Sequence, residues 1–568
     1  MAKDLKKIAK MIKLDQGRME AKRKPRESRT KCIDQMFRPS RLDLDDTREE
    51  GDDYKTKKFF HWPPIYLYQH GNAFAGATSS KRLDWFNYGF SVEALNDLDS
   101  SKGYFQDARD QMRNAFERSN FYDEDIPLIE DAVSDGNGFM EPIHDLDLDE
   151  ARFLTQHPGD VWISRDKYGK VNRVHIRKTL TAEQAYDDFK DNKYQESDLG
   201  GNLPDDLIRN ATEDTGNPLS EYTFIHARWK NPDRRIGSIL SEDKEFLSAW
   251  VCSSNSEIVE LNGVDALMLE WTPNRASRNV YGTGLCALAL DAAQTGDSYE
   301  KKKLQMAALA AEPRNKASKT LRGRIDRRPG ATIWMADGES YEPVDDQTNF
   351  TIPTEQMDEA KEVIRGWLWL DLLLAMSSIE NPKDITATFI SQLQGEKAQV
   401  LTSTLTGYED FLNRVHEFVW KIEENAGRMP EMPQELADAI DQYEADHPGS
   451  EVSITPNYIG PLFQIQQEFL KTGPLLKGLD YMERVITMYP EAQVKVDGDK
   501  LLEEGLDGVN FPESIQRTDG EVEEVRAAQA EAAAAQAQQD ALQAGMENIS
   551  GLDKTIEPDS VIDKAMNA

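Results

Sequence analysis

Two long helical periods with a short β-prone insert between them constrain this chain more than any other feature. Residues Leu285 to Ala311 keep one helical pattern until Pro313 ends it, and Thr354 to Met376 keep a second. The intervening 321–353 is rich in Gly, Pro and short strand-like runs, so the chain leaves along one helix, makes a compact excursion and returns along another. A third period runs from Thr386 to about Asn425, after a loop from Ser377 to Asp384 in which Pro382 cannot continue a helix interior. Ala426-Gly427-Arg428-Met429-Pro430 then supplies the glycine and later proline of a helix C-terminus.

The first half mixes both kinds of structure. From Phe86 to Met140 the spacing is helical, with Phe105, Ala108, Met112, Ala115 and Phe116 in one amphipathic run and Ile126, Leu128, Ile129 and Val133 in the next, until Gly136 and Gly138 break it. Val161-Trp162-Ile163 and Val171 to Ile176 flank Asp166-Lys167-Tyr168-Gly169-Lys170 and read as a hairpin with a turn glycine. Tyr222 to Arg228, Phe246 to Cys252 and Ile258 to Leu261 read as further strands, beyond a polar insert from Thr181 to Pro218. The fold class expected is α+β, mainly helical. Pro456, Pro461, Pro474, Pro490 and Pro512 divide the last part into shorter helices. The Ala/Gln-rich Glu521 to Gln543 has strong helix propensity but almost no large apolar residues, so it is an exposed extension or one of a ring of identical helices. The last twenty or so residues lack periodicity and read as flexible.

Length and charge narrow the function classes. A chain of 568 residues suggests two to four packed regions. A net charge of −35 argues against broad gripping of nucleic acid, which rests on Lys and Arg displacing counterions. Cys32, Cys252 and Cys286 have no metal or disulfide spacing and read as free thiols of a reducing compartment. Met1 to Lys13 lacks the apolar run of a secretory signal, and Val363 to Met376, interrupted by Arg365 and Asp371, is too short to span a bilayer. No G-x-x-x-x-G-K-[ST], G-x-S-x-G or H-E-x-x-H occurs. The alternating Asp145, Asp147 and Asp149 would share one face if extended and hold Ca²⁺ or Mg²⁺; a solvated loop is the preferred reading, and no metal or cofactor is assigned.

Positive charge is densest in a few places. Residues 1–31 are basic and helical until Pro25: a solvated amphipathic helix, with contact to DNA or an acidic partner as the functional alternative. Lys301, Lys302 and Lys303 are consecutive helical positions about 100° apart, so at most two face any one partner. The densest cluster is Arg314, Lys316, Lys319, Arg322, Arg324, Arg327 and Arg328 in the insert, interrupted by one acid, Asp326, and thus better suited to a partner than to plain solubility.

Three motifs occur in a fixed order: Tyr281-Gly282-Thr283-Gly284 opening a helix, Arg328-Pro329-Gly330-Ala331 in the insert, and Thr386-Ala387-Thr388 leading to Gln394, Glu396, Lys397 and Ala398. Together they resemble the portal, or head-to-tail connector, proteins of short-tailed bacteriophages, over roughly residues 100–530. Leu285 stands where that family has proline, and Phe389 where it has glutamate. The resemblance implies a portal fold: an N-terminal part and α+β wing over 1–283, a first stem helix over 284–312, and a β-containing clip over 313–353. A second stem helix over 354–376, a tunnel loop over 377–385 and a long wing helix with its following segment over 386–450 come next. Helical crown or barrel elements over 451–545 and a flexible tail over 546–568 complete it. It also implies a dodecameric ring at one capsid vertex, assembled in the bacterial cytoplasm, that conducts double-stranded DNA. Terminase, major capsid and scaffolding proteins and tail adaptor or nozzle proteins are the implied partners, with no membrane and no catalysis. In the tunnel loop, Glu380, Asn381, Lys383 and Asp384 would face the DNA, and the insert's basic residues would meet partners. A metal-dependent DNA-processing enzyme and a non-portal capsid scaffold are the alternatives.

Overall fold

A computed structural model of the chain describes residues 5–41, 57–96, 98–190, 203–235, 243–264, 266–312, 314–322, 332, 334–344, 350–377 and 396–467. The fold is mixed α+β. Its main core is helical because the apolar spacing there is helical. Helices α2 (Trp62–Thr78), α4 (Asp99–Arg118), α5 (Phe121–Asp135) and the 30-residue α12 (Glu396–Asn425) contribute Phe74, Met112, Phe116, Leu128, Ile129, Tyr408, Phe411 and Val415, all fully buried. Gly427, at φ +66°, follows the end of α12 as expected of a C-terminal glycine.

Phe86 to Phe90, read from sequence as the start of a helical stretch, is instead strand β1, paired antiparallel with β12 (Ile454–Tyr458). Three aromatics with Asn87 and Gly89 between them can serve either structure; the partner, some 370 positions away, decides it. The short α3 (Glu93–Asn96) joins β1 to α4, while α13 (Gln434–Asp446) and α14 (Pro461–Gln467) flank β12.

Strands β2 (Gly138–Asp145), β3 (Glu150–Thr155) and β9 (Leu269–Trp271) form a three-stranded sheet in the order β3-β2-β9. A five-stranded antiparallel meander follows the expected runs: β4 (Val161–Arg165), β5 (Val171–Thr181), β6 (Glu221–Lys230), β7 (Phe246–Cys252) and β8 (Ile258–Val264). Alternation along β6 and β7 covers both faces. Ala227, Trp229, Leu247, Ala249 and Val251 pack against the start of α1, and Phe224 and Cys252 against α6 (Ala182–Phe189) and α7 (Asp205–Thr212).

Helix α1 (Leu5–Phe37) does not stop at Pro25 as the sequence suggested. A mid-helix proline costs about 3 kcal/mol, and arginines on either side tie the helix down. Arg23 donates to the carbonyls of Pro158 and Val161 at 3.2 Å and stacks on Trp162 at 4.2 Å; Arg29 donates to Ala287 O at 3.0 Å.

The helix-insert-helix order is present with two breaks. The first helix is α8 (Leu285–Leu288) followed at Ala289 by α9 (Leu290–Ala311), and the return helix is α10 (Thr351–Trp367), which packs along α9. Strands β10 (Asn315–Ala317) and β11 (Tyr341–Pro343) pair between them. The single return helix expected to reach Met376 is instead split: Trp369 sits at φ +49° before α11 (Leu370–Ser377). Leu368, Trp369 and Leu370 are all buried, and three consecutive helical positions sweep 200°, more than one packed face accepts. The break buries all three, and buried His70 donates through Nδ1 to the Leu368 carbonyl at 2.7 Å. Burial pushes His70 down to about 4, so it stays neutral.

Candidate functional site

The helical hairpin is seated on the rest of the chain by bare backbone. Helix α5 ends at Gly136, φ +92°, a conformation that favours glycine. The 281–284 segment crosses there: a Cβ on Gly282 would lie 2.2 Å from Gly136 O, and one on Gly284 2.3 Å from Ser134 O. No side chain fits either place. Asn137 stitches the crossing, its Oδ1 accepting from Gly282 N at 2.8 Å while its Nδ2 donates to Glu270 at 2.6 Å and Thr272 at 2.8 Å. Tyr281 accepts from Ile163 N at 3.3 Å and lies under the Arg26 guanidinium at 4.8 Å. The motif noted in sequence is therefore a seat; its partners Gly136 and Asn137 were missed in that role, and the glycine that ends the α5 period was the signal for them.

A buried ionic cluster underlies the seat and joins the end of α1 and the residues after it to α5, beside α8. Arg41 Nη1 lies 2.5 Å from Asp135 and 3.4 Å from Asp34, and Arg38 pairs with Asp131 and, at 3.2 Å, with Glu130. Burial and the nearby Asp135 raise Asp34 well above the usual carboxylate range despite Arg41. Such a cluster fixes geometry more than it adds stability. Cys286, buried beside it, has a thiol pushed far up by burial and stays protonated; it and Cys252 are free and buried, Cys32 free and exposed.

Beyond the seat the hairpin progressively loses its cover. Gly296 meets the Phe60 ring, and Asp297 accepts from Phe59 N at 2.6 Å and Phe60 N at 3.2 Å. From Asp297 to Ala311 no residue of α9 is buried. The facing Pro353, Met357, Ala360 and Ile364 of α10 are buried. Lys301 and Lys302 are exposed, with their ammonium groups 5.9 Å from the Phe59 ring and 4.9 Å from the Tyr299 ring; Lys303 is half-buried. The three lysines thus diverge, as helical spacing required. At the tip, Arg314, Lys316, Lys319 and Arg322 are exposed around buried Leu321, and Trp334 is 83% exposed. Arg324, Arg327 and Arg328 lie outside the described residues. So do Glu380, Asn381, Lys383 and Asp384 of the 377–385 loop, the Thr386-Ala387-Thr388 motif, and the segments 521–543 and 546–568.

The acidic alternation does not build a metal site. Asp145 Oδ1 accepts from Asp147 N at 3.1 Å and Leu148 N at 3.3 Å, folding a turn instead of an extended face. Asp149, at φ +53°, bonds His144 at 2.7 Å and Arg428. Among the described residues no group of three or more His, Cys, Asp or Glu could hold a metal, and no helix is long and apolar enough to cross a membrane.

Set against known protein families, residues 10–516 match the model described as bacteriophage head to tail connecting protein. No curated protein matches the chain.

Proposed function

Because the chain belongs to the bacteriophage head-to-tail connecting proteins, whose place is the portal vertex of the virion, between capsid and tail, we propose that its copies close into a ring that conducts double-stranded DNA. The family is structural, not enzymatic, so the task assigned here is passage and docking. By the resemblance the ring has twelve copies, with terminase docking during packaging and tail adaptors afterwards.

The observation that carries the reading is the seated hairpin whose outer half lacks cover. A helix pair of that length, held rigidly at one end, suits a stem that neighbouring copies complete. The basic tip around Lys316, Lys319 and Arg322 suits the clip, and Leu321 with β10 and β11 gives it a minimal fold. Along the stem, few lysines in a strongly acidic chain suit DNA that must keep moving, since every firmly neutralised phosphate adds an attraction that translocation must break. In the tunnel loop, Lys383 flanked by Glu380 and Asp384 fits the same logic.

Electron microscopy of the purified chain tests this: rings with an axial opening wide enough for a duplex are expected. Compact monomers, or closed particles without an opening, would refute it and favour a capsid scaffold.

A further inference from the structure

Two sequence features remain unused by the portal reading: the basic helix α1 and the acidic Asp145-Leu146-Asp147-Leu148-Asp149-Glu150 turn. On α1, Lys7, Lys10, Met11, Leu14 and Arg18 recur at helical spacing and all are exposed, Leu14 at 57% and Met11 at 38%. This face has an apolar centre and a basic rim. Among the described residues Lys10 has no hydrogen-bond or salt-bridge partner, and Arg18 has a single loose one, Asp15 at 3.5 Å. A phosphate-binding helix has no need of an exposed leucine and methionine between its lysines, whereas a protein partner with acidic and apolar groups matches both.

The chain itself carries that partner. In the turn between β2 and β3, Leu146 is 81% and Leu148 58% exposed, and the exposed Asp147 carboxylate between them has no partner among the described residues. Leu146 is the most exposed leucine among the described residues. The turn is held stiffly by the Asp145 cap and by Arg428 on the Asp149 carbonyl at 2.6 Å. Both strands behind it are paired, which fixes where it can point. Its neighbours are the end of α4 at Arg118 and the segment after α12 at Arg428, whereas the first turns of α1 lie on the five-stranded sheet.

We propose that the Leu146–Leu148 turn of one copy docks on the Met11–Leu14 face of α1 in the next copy, the two leucines on the apolar centre and Asp147 against Lys10. The contact joins two different surfaces, so it repeats head to tail and closes only in a ring. It rests on the ring reading above and names one of that ring's interfaces.

The test uses the full chain with Cys32→Ser, which removes the one exposed native thiol. Leu14→Cys and Leu146→Cys are made separately, mixed and oxidised; disulfide-linked dimers are expected from the mixture and not from either alone. Combined in one chain, they should give a ladder of linked copies. Lys10→Glu and Asp147→Lys should each reduce the ring fraction, by about tenfold or more in self-association affinity, and together restore it. Rings seen by electron microscopy without any disulfide from the mixture would overturn the contact and leave the ring reading standing. Particles that never form rings would overturn the ring reading, and the same disulfides would then decide the contact by themselves. Loss of retention on duplex DNA by Lys10→Glu, with the ring fraction unchanged, would assign the face to DNA and overturn the proposal.

Discussion

Gly282→Ala attacks the seat directly. The new Cβ would stand 2.2 Å from Gly136 O and 2.4 Å from Thr272 Cγ2, where a relaxed carbon–oxygen contact needs about 3.3 Å. The 281–284 segment must therefore back away from the end of α5 by about 1 Å. That movement takes the Gly282 N–H from 2.8 Å to Asn137 past the roughly 3.2 Å limit of a normal bond. Overpacking costs about 1–3 kcal/mol and the unmet buried donor about 1–3 more. A total of about 2–6 kcal/mol is a large part of the roughly 5–15 that holds a domain together. Equilibrium urea unfolding measures it, with Gly17→Ala as control: nothing lies within 4 Å of a Cβ there, and a helix-interior Gly-to-Ala change adds about 0.5–1 kcal/mol. The two variants should move the midpoint in opposite directions. A Gly282→Ala protein within about 0.5 kcal/mol of the parent, the range of changes that touch nothing, would refute the argument.

Other perturbations read different parts. Asp125 accepts from Ser79 Oγ at 2.6 Å and Tyr408 at 2.8 Å, both neutral, and burial pushes it up to about 6. Its raised folded value means the native state holds the proton more tightly, so this contribution is full below about pH 4 and fades as pH rises to about 6, by about 3 kcal/mol. Unfolding of Asp125→Asn at pH 4 to 7 should lack that decline, and parallel curves for parent and variant would refute it. Glu141 is held below the usual carboxylate range by Arg228 at 2.6 Å, His226 and Lys178, against the cost of burial. Its contribution is present above the ordinary glutamate range and lost on acidification, and Glu141→Gln, by leaving Arg228 buried without its anion, should cost about 3–5 kcal/mol by urea unfolding. Mg²⁺ or a chelator should leave the unfolding midpoint unchanged and no DNA should be cut; cleavage abolished by Asp147→Ala would revive the metal-enzyme alternative.

Local chemistry in the sequence located whatever local chemistry decides. The β4–β5 hairpin was legible because Asp166 and Gly169, at φ +83°, settle their own turn, with Asp166 Oδ1 accepting from Tyr168 N and Lys170 N. The end of α12 was legible for the same reason. What escaped depends on distant partners: β1 needs β12, α1 crosses Pro25 because Arg23 finds carbonyls about 135 positions away, and the Leu368–Trp369 break needs His70. At the candidate site the Tyr281-Gly282-Thr283-Gly284 motif was visible, but its reason was not. Only the crossing with Gly136 explains why both glycines lack room for a Cβ.

The distribution of order along the chain bears on how a portal subunit divides its labour. Buried ion pairs and backbone-on-backbone packing concentrate where α1, α5 and α8 meet, so the base of the hairpin is fixed by groups that have few alternative partners. Past Gly296, although Asp297 still holds Phe59 N and Phe60 N and Lys301 approaches the Phe59 ring, no residue of α9 is buried. There, exposed Lys301 and Lys302 lie on α9, while exposed Glu355, Asp358, Glu359 and Glu362 lie on α10. Most helix stability in a protein comes from packing of an amphipathic face, which α9 lacks there. In the proposed ring, each hairpin would set the basic side of one helix against the acidic side of the next copy's other helix. Lysines engaged in that way are unavailable to phosphate. Rigidity at the seat and mutual charge pairing along the stem are then two parts of one requirement: a lining whose shape is fixed and whose hold on a passing polyanion is weak.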